Sequence, residues 1–312
     1  MSARSSVFVL FEYIFAVYAG ISNEIIARLV EAYRKIRNTC RFLLGNINDF
    51  DPSMADLSKL KREDLLEIDL YALSILQELI QKVNTSYETF AFHEVYHSIY
   101  QFCVIDMSAF YLDILKDRLY TFRPDSKDRR AAQIALYNIL ISLTKLIAPV
   151  LSFTAEEIWQ HIPGKKDESV FLSAFPEANI EWIDRALVEK WKKLSRIRDE
   201  VNKALEIKRQ EKLIGNALEA KVTIYADNET SQLLNNYKAF LPTLFIVSST
   251  EVLTDMAVPH EVYKSSELGD LSIVVEKADG EKCQRCWNWD LTVGAYKTHL
   301  DLCKKCFEAV KA

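Results

Sequence analysis

The sequence predicts a mainly α protein, an antiparallel helical bundle followed by a small α+β domain and a four-cysteine module. Three observations predict it. Apolar residues recur every three or four positions through most of the chain before Gly215, which is the period of a helix face. After Gly215 the period becomes two, as in a strand. Four of the six cysteines then fall close to the C-terminus as two Cys-x2-Cys pairs, Cys283 with Cys286 and Cys303 with Cys306. Only seven glycines and seven prolines interrupt 312 residues, which leaves room for long helices.

From Ile21 the first helix is marked by Ile25, Leu29, Tyr33, Ile36, Cys40 and Leu43 on one face, and Asp51-Pro52 forbids its continuation. Leu65 to about Thr85 reads as a second helix, with Leu66, Leu70, Leu73, Leu76 and Ile80 inward. An aromatic-rich third runs from Phe90 to Leu119, and a fourth from Arg129 to Ile147 is closed by Pro149. Thr154, with Glu157 three residues on, predicts a capping box that opens a short fifth helix through Trp159. Short links between amphipathic helices of this length make an antiparallel bundle. Leu187 to Lys212 is a further helix with nine Lys or Arg against five Asp or Glu. Strands are expected over 220–225, 244–247 and 271–275, with a short helix near Leu233 to Phe240, and Asp279-Gly280 turns the chain into the cysteines. The domains implied are a bundle over 21–165, a linker and basic helix over 166–215, an α+β junction over 216–278 and the cysteine module over 279–312. Residues 1–20 stand apart. Val7 to Gly20 is apolar but too short for a membrane helix, and Glu12 within it is costly for a signal peptide, so an irregular N-terminus is expected.

A net charge of −5 excludes a strongly basic nucleic-acid binder, so any such role must come from local patches. Clustered cysteines in a chain of this size read as thiolate metal ligands in a reducing compartment, not as disulfides. The spacing of Cys283, Cys286, Cys303 and Cys306 suits one tetrahedral zinc ion, and four protein ligands make it structural because no position stays open for water. His299 enters only if a cysteine is displaced. Lys282, Arg285, Lys304 and Lys305 offset the two net negative charges of such a centre. Trp287 and Trp289 beside the first pair are either core of a very small domain, the expected role of at least one, or a surface on which a base stacks. Cys40 and Cys103 read as buried thiols.

His93-Glu94-Val95-Tyr96-His97 matches the HExxH pattern of zinc proteases. The match lacks a third ligand, with Asp113 and Asp117 the nearest candidates, and it lies in an aromatic run (Phe90, Phe92, Tyr96, Tyr100, Phe102) that reads as bundle core. The first helix carries Arg34, Lys35, Arg37, Asn38 and Arg41 away from its apolar face. Arginine forks match phosphate and asparagine reads base edges, although a charged face is more often merely solvated. No glycine-rich phosphate loop and no nucleophile stand out.

Several long stretches resemble one family, the bacterial isoleucyl-tRNA synthetases. EAYRKIRNTCRFLLGNINDFDP (Glu31 to Pro52), FHEVYHSIYQFCVIDMSAFYLDILKDRLYT (Phe92 to Thr121) and LIAPVLSFTAEEIW (Leu146 to Trp159) are similar to its anticodon-binding helical domain. RDEVNKALEIKRQEKLIGNALEAKVTIYA (Arg198 to Ala226), EKCQRCWNWD and LCKKC are similar to its C-terminal junction and zinc domain. The resemblance implies tRNA recognition within an ATP-dependent isoleucine–tRNA ligase, and HEVYH as bundle helix. Neither the HIGH nor the KMSKS sequence of that family's catalytic domain occurs here, so no ligase activity is expected of these 312 residues alone. Residues before Ile21 depart from the family, and Asp69 is followed by Leu70 where the family usually has arginine. Carried over, tRNA contacts are expected from Arg34, Arg37, Asn38 and Arg41 at the loop side. Lys192, Lys193, Arg196, Lys208 and Arg209 follow as phosphate contacts, with Trp287 and Trp289 at the zinc end. The implied partners are isoleucine tRNA and the catalytic domain, in a cytoplasmic monomer without membrane contact and with one structural zinc. A zinc-dependent DNA-binding protein and a non-catalytic helical scaffold are the alternatives.

Overall fold

The computed structural model describes residues 22–254, 259 and 262–311. The expectation for residues 1–20 lies outside them. The described chain is mainly helical, with a small mixed sheet late in the sequence. It divides into two compact units, residues 1–113 with 127–185, and residues 114–126 with 186–312.

The first unit is a helix bundle. Helix α1 (Asn23–Gly45) starts at Ser22, whose hydroxyl accepts from the Ile25 amide at 3.2 Å and satisfies one otherwise unpaired donor of the first turn. It buries Ala32, Ile36, Thr39, Cys40 and Leu43. Leu29, expected inward, is 47% exposed. The buried residues of α1 begin only at Ala32, so its first turns find no cover among the described residues. Helix α2 (Glu67–Glu88) is held at its start by Asp69, whose carboxylate accepts from the Leu66 amide at 3.3 Å. Asp69 is fully buried and also accepts the Tyr111 hydroxyl at 2.8 Å.

Residues 92–121 form one long helix with a widened middle. It comprises α3 (Phe92–Gln101), a π-helical segment (Phe102–Tyr111) and α4 (Leu112–Thr121). Its length and composition would suit a membrane, but Phe102, Cys103, Met107, Phe110 and Tyr111 are buried in the protein. In the π segment the Thr39 hydroxyl from α1 donates to the Cys103 carbonyl at 3.3 Å and lies 3.1 Å from the Ser108 hydroxyl. Such wide turns are rare and persist where outside partners meet their polar groups. Helix α5 (Lys127–Ile147) closes over the bundle, and its Arg129 grips Asp49 through two hydrogen bonds at 2.7 and 3.1 Å. That guanidinium, against some desolvation, holds the Asp49 carboxyl down to about 2. Helix α6 (Ser152–His161) starts two residues before the expected cap. Thr154 is therefore inside the helix, and its hydroxyl meets Tyr33 at 3.2 Å instead of capping anything.

The second unit is built on α7 (Arg185–Gln210), which buries Trp191, Leu194, Ile197, Val201 and Leu205. The strands are β1 (Ala220–Ala226), β2 (Ser249–Thr254), β3 (Tyr263–Lys264) and β4 (Ser272–Lys277), in the order β2-β1-β4-β3. β1 pairs parallel to β2, with Val222 opposite Thr250, and antiparallel to β4, with Ile224 opposite Ile273. The parallel pair needs a crossover, supplied by α8 (Asn228–Asn236) and α9 (Leu241–Phe245). The expected strand over 244–247 is thus an error. Pro242 at the helix start lacks the amide that a helix start leaves unused, and Ile246 ends the turn at φ 55°. The apolar run there was read by its composition, which does not separate a buried helix from a buried strand.

The end of α7 carries one unfavourable residue. The Leu213 amide donates to the Lys208 carbonyl and the Lys212 amide to Arg209, the paired bonds of a Schellman motif, with Lys212 at φ 61°. Lysine there bears the cost of a Cβ in the left-handed region. Lys212→Gly is expected to stabilise the protein by about 1 kcal/mol, read as a higher urea midpoint of the second unit. An unchanged or lower midpoint would refute the strain.

Candidate RNA-binding face and thiolate cluster

The basic residues singled out on α1 are Arg34, Arg37, Asn38 and Arg41. Positions three, four and seven apart share one helix face, and all four are exposed. Arg37 reaches Glu157 at 3.7 Å with both side chains largely exposed, a weak pair in water. Arg34 and Arg41 form no ion pair among the described residues, and the Asn38 amide makes no hydrogen bond. The buried face of α1 therefore fixes the helix while the opposite face presents two unneutralised guanidinium forks and one free amide.

The basic residues of α7 are arranged differently. Lys192 pairs with Glu189 at 2.7 Å, Lys193 with Glu229 at 3.3 Å, Lys208 with Glu211 at 2.8 Å, and Arg209 with Glu206. Arg196 forms no such pair among the described residues. Lys192 and Lys208 are also about 24 Å apart along the axis at 1.5 Å per residue. Three of these four pairs use acids of α7 itself, one turn away, and Lys193 alone of the four reaches an acid on another helix.

The cysteines converge. Cys283 follows β5 (Glu281–Lys282), Cys286 lies in the turn before β6 (Trp289–Asp290), and Cys303 and Cys306 flank the start of α10 (Lys304–Val310). Gly280 makes the turn into β5 at φ 91°, where a Cβ would stand 2.4 Å from the Asp290 carbonyl carbon. The four Sγ atoms lie within 4.8 Å of one another, and Cys286 and Cys303 are 3.7 Å apart. A tetrahedron with metal–sulfur bonds of 2.3 Å has edges of about 3.8 Å, so the cage has the size of a four-thiolate metal site. Cys283, Cys303 and Cys306 are buried and Cys286 is half-buried. Hydrogen bonds from Cys286 and Cys303 favour the thiolate form of Cys306. His299 is outside the cage and packs edge-on to Phe307.

Two cations adjoin the cage. The Arg285 guanidinium lies 3.8 Å from the Cys306 sulfur and donates to the Thr121 carbonyl at the end of α4. Lys305 makes two hydrogen bonds of 2.7 Å to the Asp117 carboxylate. Burial works against its charge, but Asp117 outweighs burial and keeps Lys305 above the usual lysine range. Lys282 instead sits 5.3 Å over the Trp287 ring. Trp287 has φ 67° and is 59% exposed, so the turn throws its indole outward. Trp289 is half-buried, with its indole nitrogen enclosed and its amide donating to the Ser248 hydroxyl at 2.7 Å.

The HEVYH segment gathers no metal site, since among the described residues only the cysteines cluster as ligands. His93 and His97 are exposed on α3, and His97 bonds Gln101 at 2.9 Å. The aromatic run around them is not core as expected: Phe90 is 72% exposed, Tyr96 and Tyr100 are half-buried, and only Phe102 is enclosed. Burial pushes Cys40 up to about 12 and Cys103 well above the usual range, so both thiols stay protonated and inert.

Among the described residues the site is thus a closed thiolate cage and, separately, an exposed basic stripe on α1. The chain belongs to the family described as the anticodon-binding domain of tRNA ligase, whose profile matches residues 69–224. It is 48% identical to an isoleucine–tRNA ligase of Syntrophotalea carbinolica over 287 residues, 92% of this chain and 30% of that protein. It is 48% identical to one of Caldicellulosiruptor saccharolyticus over 93% of the chain, and 46% identical to one of Geobacter sulfurreducens over 93%. The chain spans about 30% of the length of the curated relatives it matches.

Proposed function

We propose that this chain is the tRNA-recognition part of an isoleucine–tRNA ligase, acting in the cytoplasm as a monomer and reading the anticodon of isoleucine tRNA. ATP-dependent attachment of isoleucine requires residues beyond these 312. The observation that carries the reading is the exposed stripe of Arg34, Asn38 and Arg41, without side-chain partners among the described residues, on a helix that enters a bundle of the anticodon-binding family. Arginine forks there bind phosphate or a guanine edge in pairs of hydrogen bonds, and the Asn38 amide matches an adenine edge. Arg37, shared weakly with Glu157, joins them once RNA displaces that pair. Unpaired loop bases expose the edges and faces that such groups read.

The cage of Cys283, Cys286, Cys303 and Cys306 would hold zinc, which supplies folding energy to residues 279–312 and no open coordination position. Trp287 then offers an outward aromatic face for a base, while Trp289 serves mainly as packing. Lys192, Lys193, Arg196, Lys208 and Arg209 are phosphate contacts of second rank, because four of the five must first leave a carboxylate.

The test is filter binding of the zinc-loaded chain to isoleucine tRNA and to the same tRNA with a changed anticodon, at two salt concentrations. Tighter binding of the correct anticodon is expected. Arg34→Ala and Arg41→Ala should each weaken it by about tenfold and lower the salt slope by about one. Equal affinity for both tRNAs, or variants indistinguishable from the wild type, would overturn the reading.

A further inference from the structure

Beside the arginine stripe, Lys35 of α1 extends to α3. Its ammonium lies 5.8 Å from the centroid of the Tyr100 ring and 3.4 Å from the Tyr100 hydroxyl, to which it donates. It also pairs with Glu31 at 2.9 Å, which fixes it in place. One turn earlier on α3, the Tyr96 ring lies nearly parallel to that of Tyr100, with centroids 6.2 Å apart and 20° between planes. Both rings are only half-buried, unlike Tyr111, which is fully enclosed, and exposed His93 and His97 stand on the same stretch of helix.

We propose that Tyr96 and Tyr100, steered by Lys35, form a stacking platform for an unpaired nucleotide of the tRNA. The inference rests on the anticodon-binding reading above and extends it to residues of α3. Single-stranded nucleic acid is held by a cationic track combined with aromatic faces on which bases lie. Here Arg34 and Arg41 supply the track, Lys35 joins it to the aromatic row, and the two parallel rings supply the faces. The occupant is a base, not an apolar peptide, because the row is bordered by the polar side chains of Lys35, His93, His97 and Gln101, which can hydrogen-bond a base edge. The HEVYH segment, without function as a metal site, becomes part of this surface.

The experiment uses the whole zinc-loaded chain and isoleucine tRNA carrying 2-aminopurine at each unpaired anticodon-loop position in turn. Tyr96→Leu and Tyr100→Leu keep side-chain bulk and remove the ring. Tyr100→Phe keeps the ring and removes the hydroxyl. Each Leu variant is expected to bind about tenfold more weakly, with an unchanged salt slope and loss of the 2-aminopurine quench at one position. Tyr100→Phe should stay within about twofold of wild type. Circular dichroism of each variant controls for folding. Folded Leu variants that bind with wild-type affinity and quench would overturn this inference and leave the anticodon reading intact, and a role in protein docking would give that result. Wild-type chain that fails to bind tRNA would overturn both.

Discussion

Removing the metal with a chelator is expected to unfold the cysteine module while the helical bundle remains folded. The module from Glu281 to Val310 has two two-residue strands and one helix of seven residues. Its buried apolar core consists of Leu302 and the cysteines themselves, with Val293 and Phe307 packed against them. A chain of that size rarely buries enough surface to fold by burial alone. Structural zinc sites supply about 10–16 kcal/mol of apparent binding energy in small domains, so an ion held in this cage is expected to decide whether the module is folded. Hydrogen exchange followed by mass spectrometry is the check. Peptides covering 281–310 should lose protection on chelation, those of α2 and α5 should not, and zinc should restore the pattern. Unchanged protection over 281–310 would mean that the thiolate cage is not a folding centre.

Asp69→Ala is expected to destabilise the bundle strongly. The carboxylate is fully buried, it caps the start of α2 through the Leu66 amide, and it accepts the Tyr111 hydroxyl at 2.8 Å. Tyr111 is itself fully buried, so truncating Asp69 leaves its hydroxyl without that acceptor in a site water does not reach. Hydrogen bonds to charged groups contribute about 1.5–3 kcal/mol. A loss of about 3 kcal/mol is expected for Asp69→Ala and about 1–2 for Tyr111→Phe. The double variant should lose less than the sum, since the two changes remove one shared bond. Strict additivity in urea unfolding would show that the pair is not coupled.

Asp69 also illustrates where the sequence was silent. Its place at the start of the second helix was legible. Its actual partner is 42 positions away, and no local pattern reports that. Long periodic helices were legible because apolar spacing records which side faces a core. The first turns of α1 show the limit, since Leu29 fits the period but stands 47% exposed, with the buried residues of the helix beginning only at Ala32. Periodicity states which face would be buried, not whether anything covers it.

The sequence by itself determined the helical class, the switch to strands after Gly215, the four cysteines as a ligand set and the arginine stripe of α1. Each is written in spacing along one element, and spacing maps directly onto a face or a turn. Tertiary structure decided the rest. It set Glu229 beside Lys193 and Glu267 beside Lys203 of α7, made a helix of the apolar run before Ile246, and brought Tyr96 and Tyr100 to a surface beside Lys35. Each of these outcomes depends on the environment a residue meets in the fold. Composition and period carry no record of that environment.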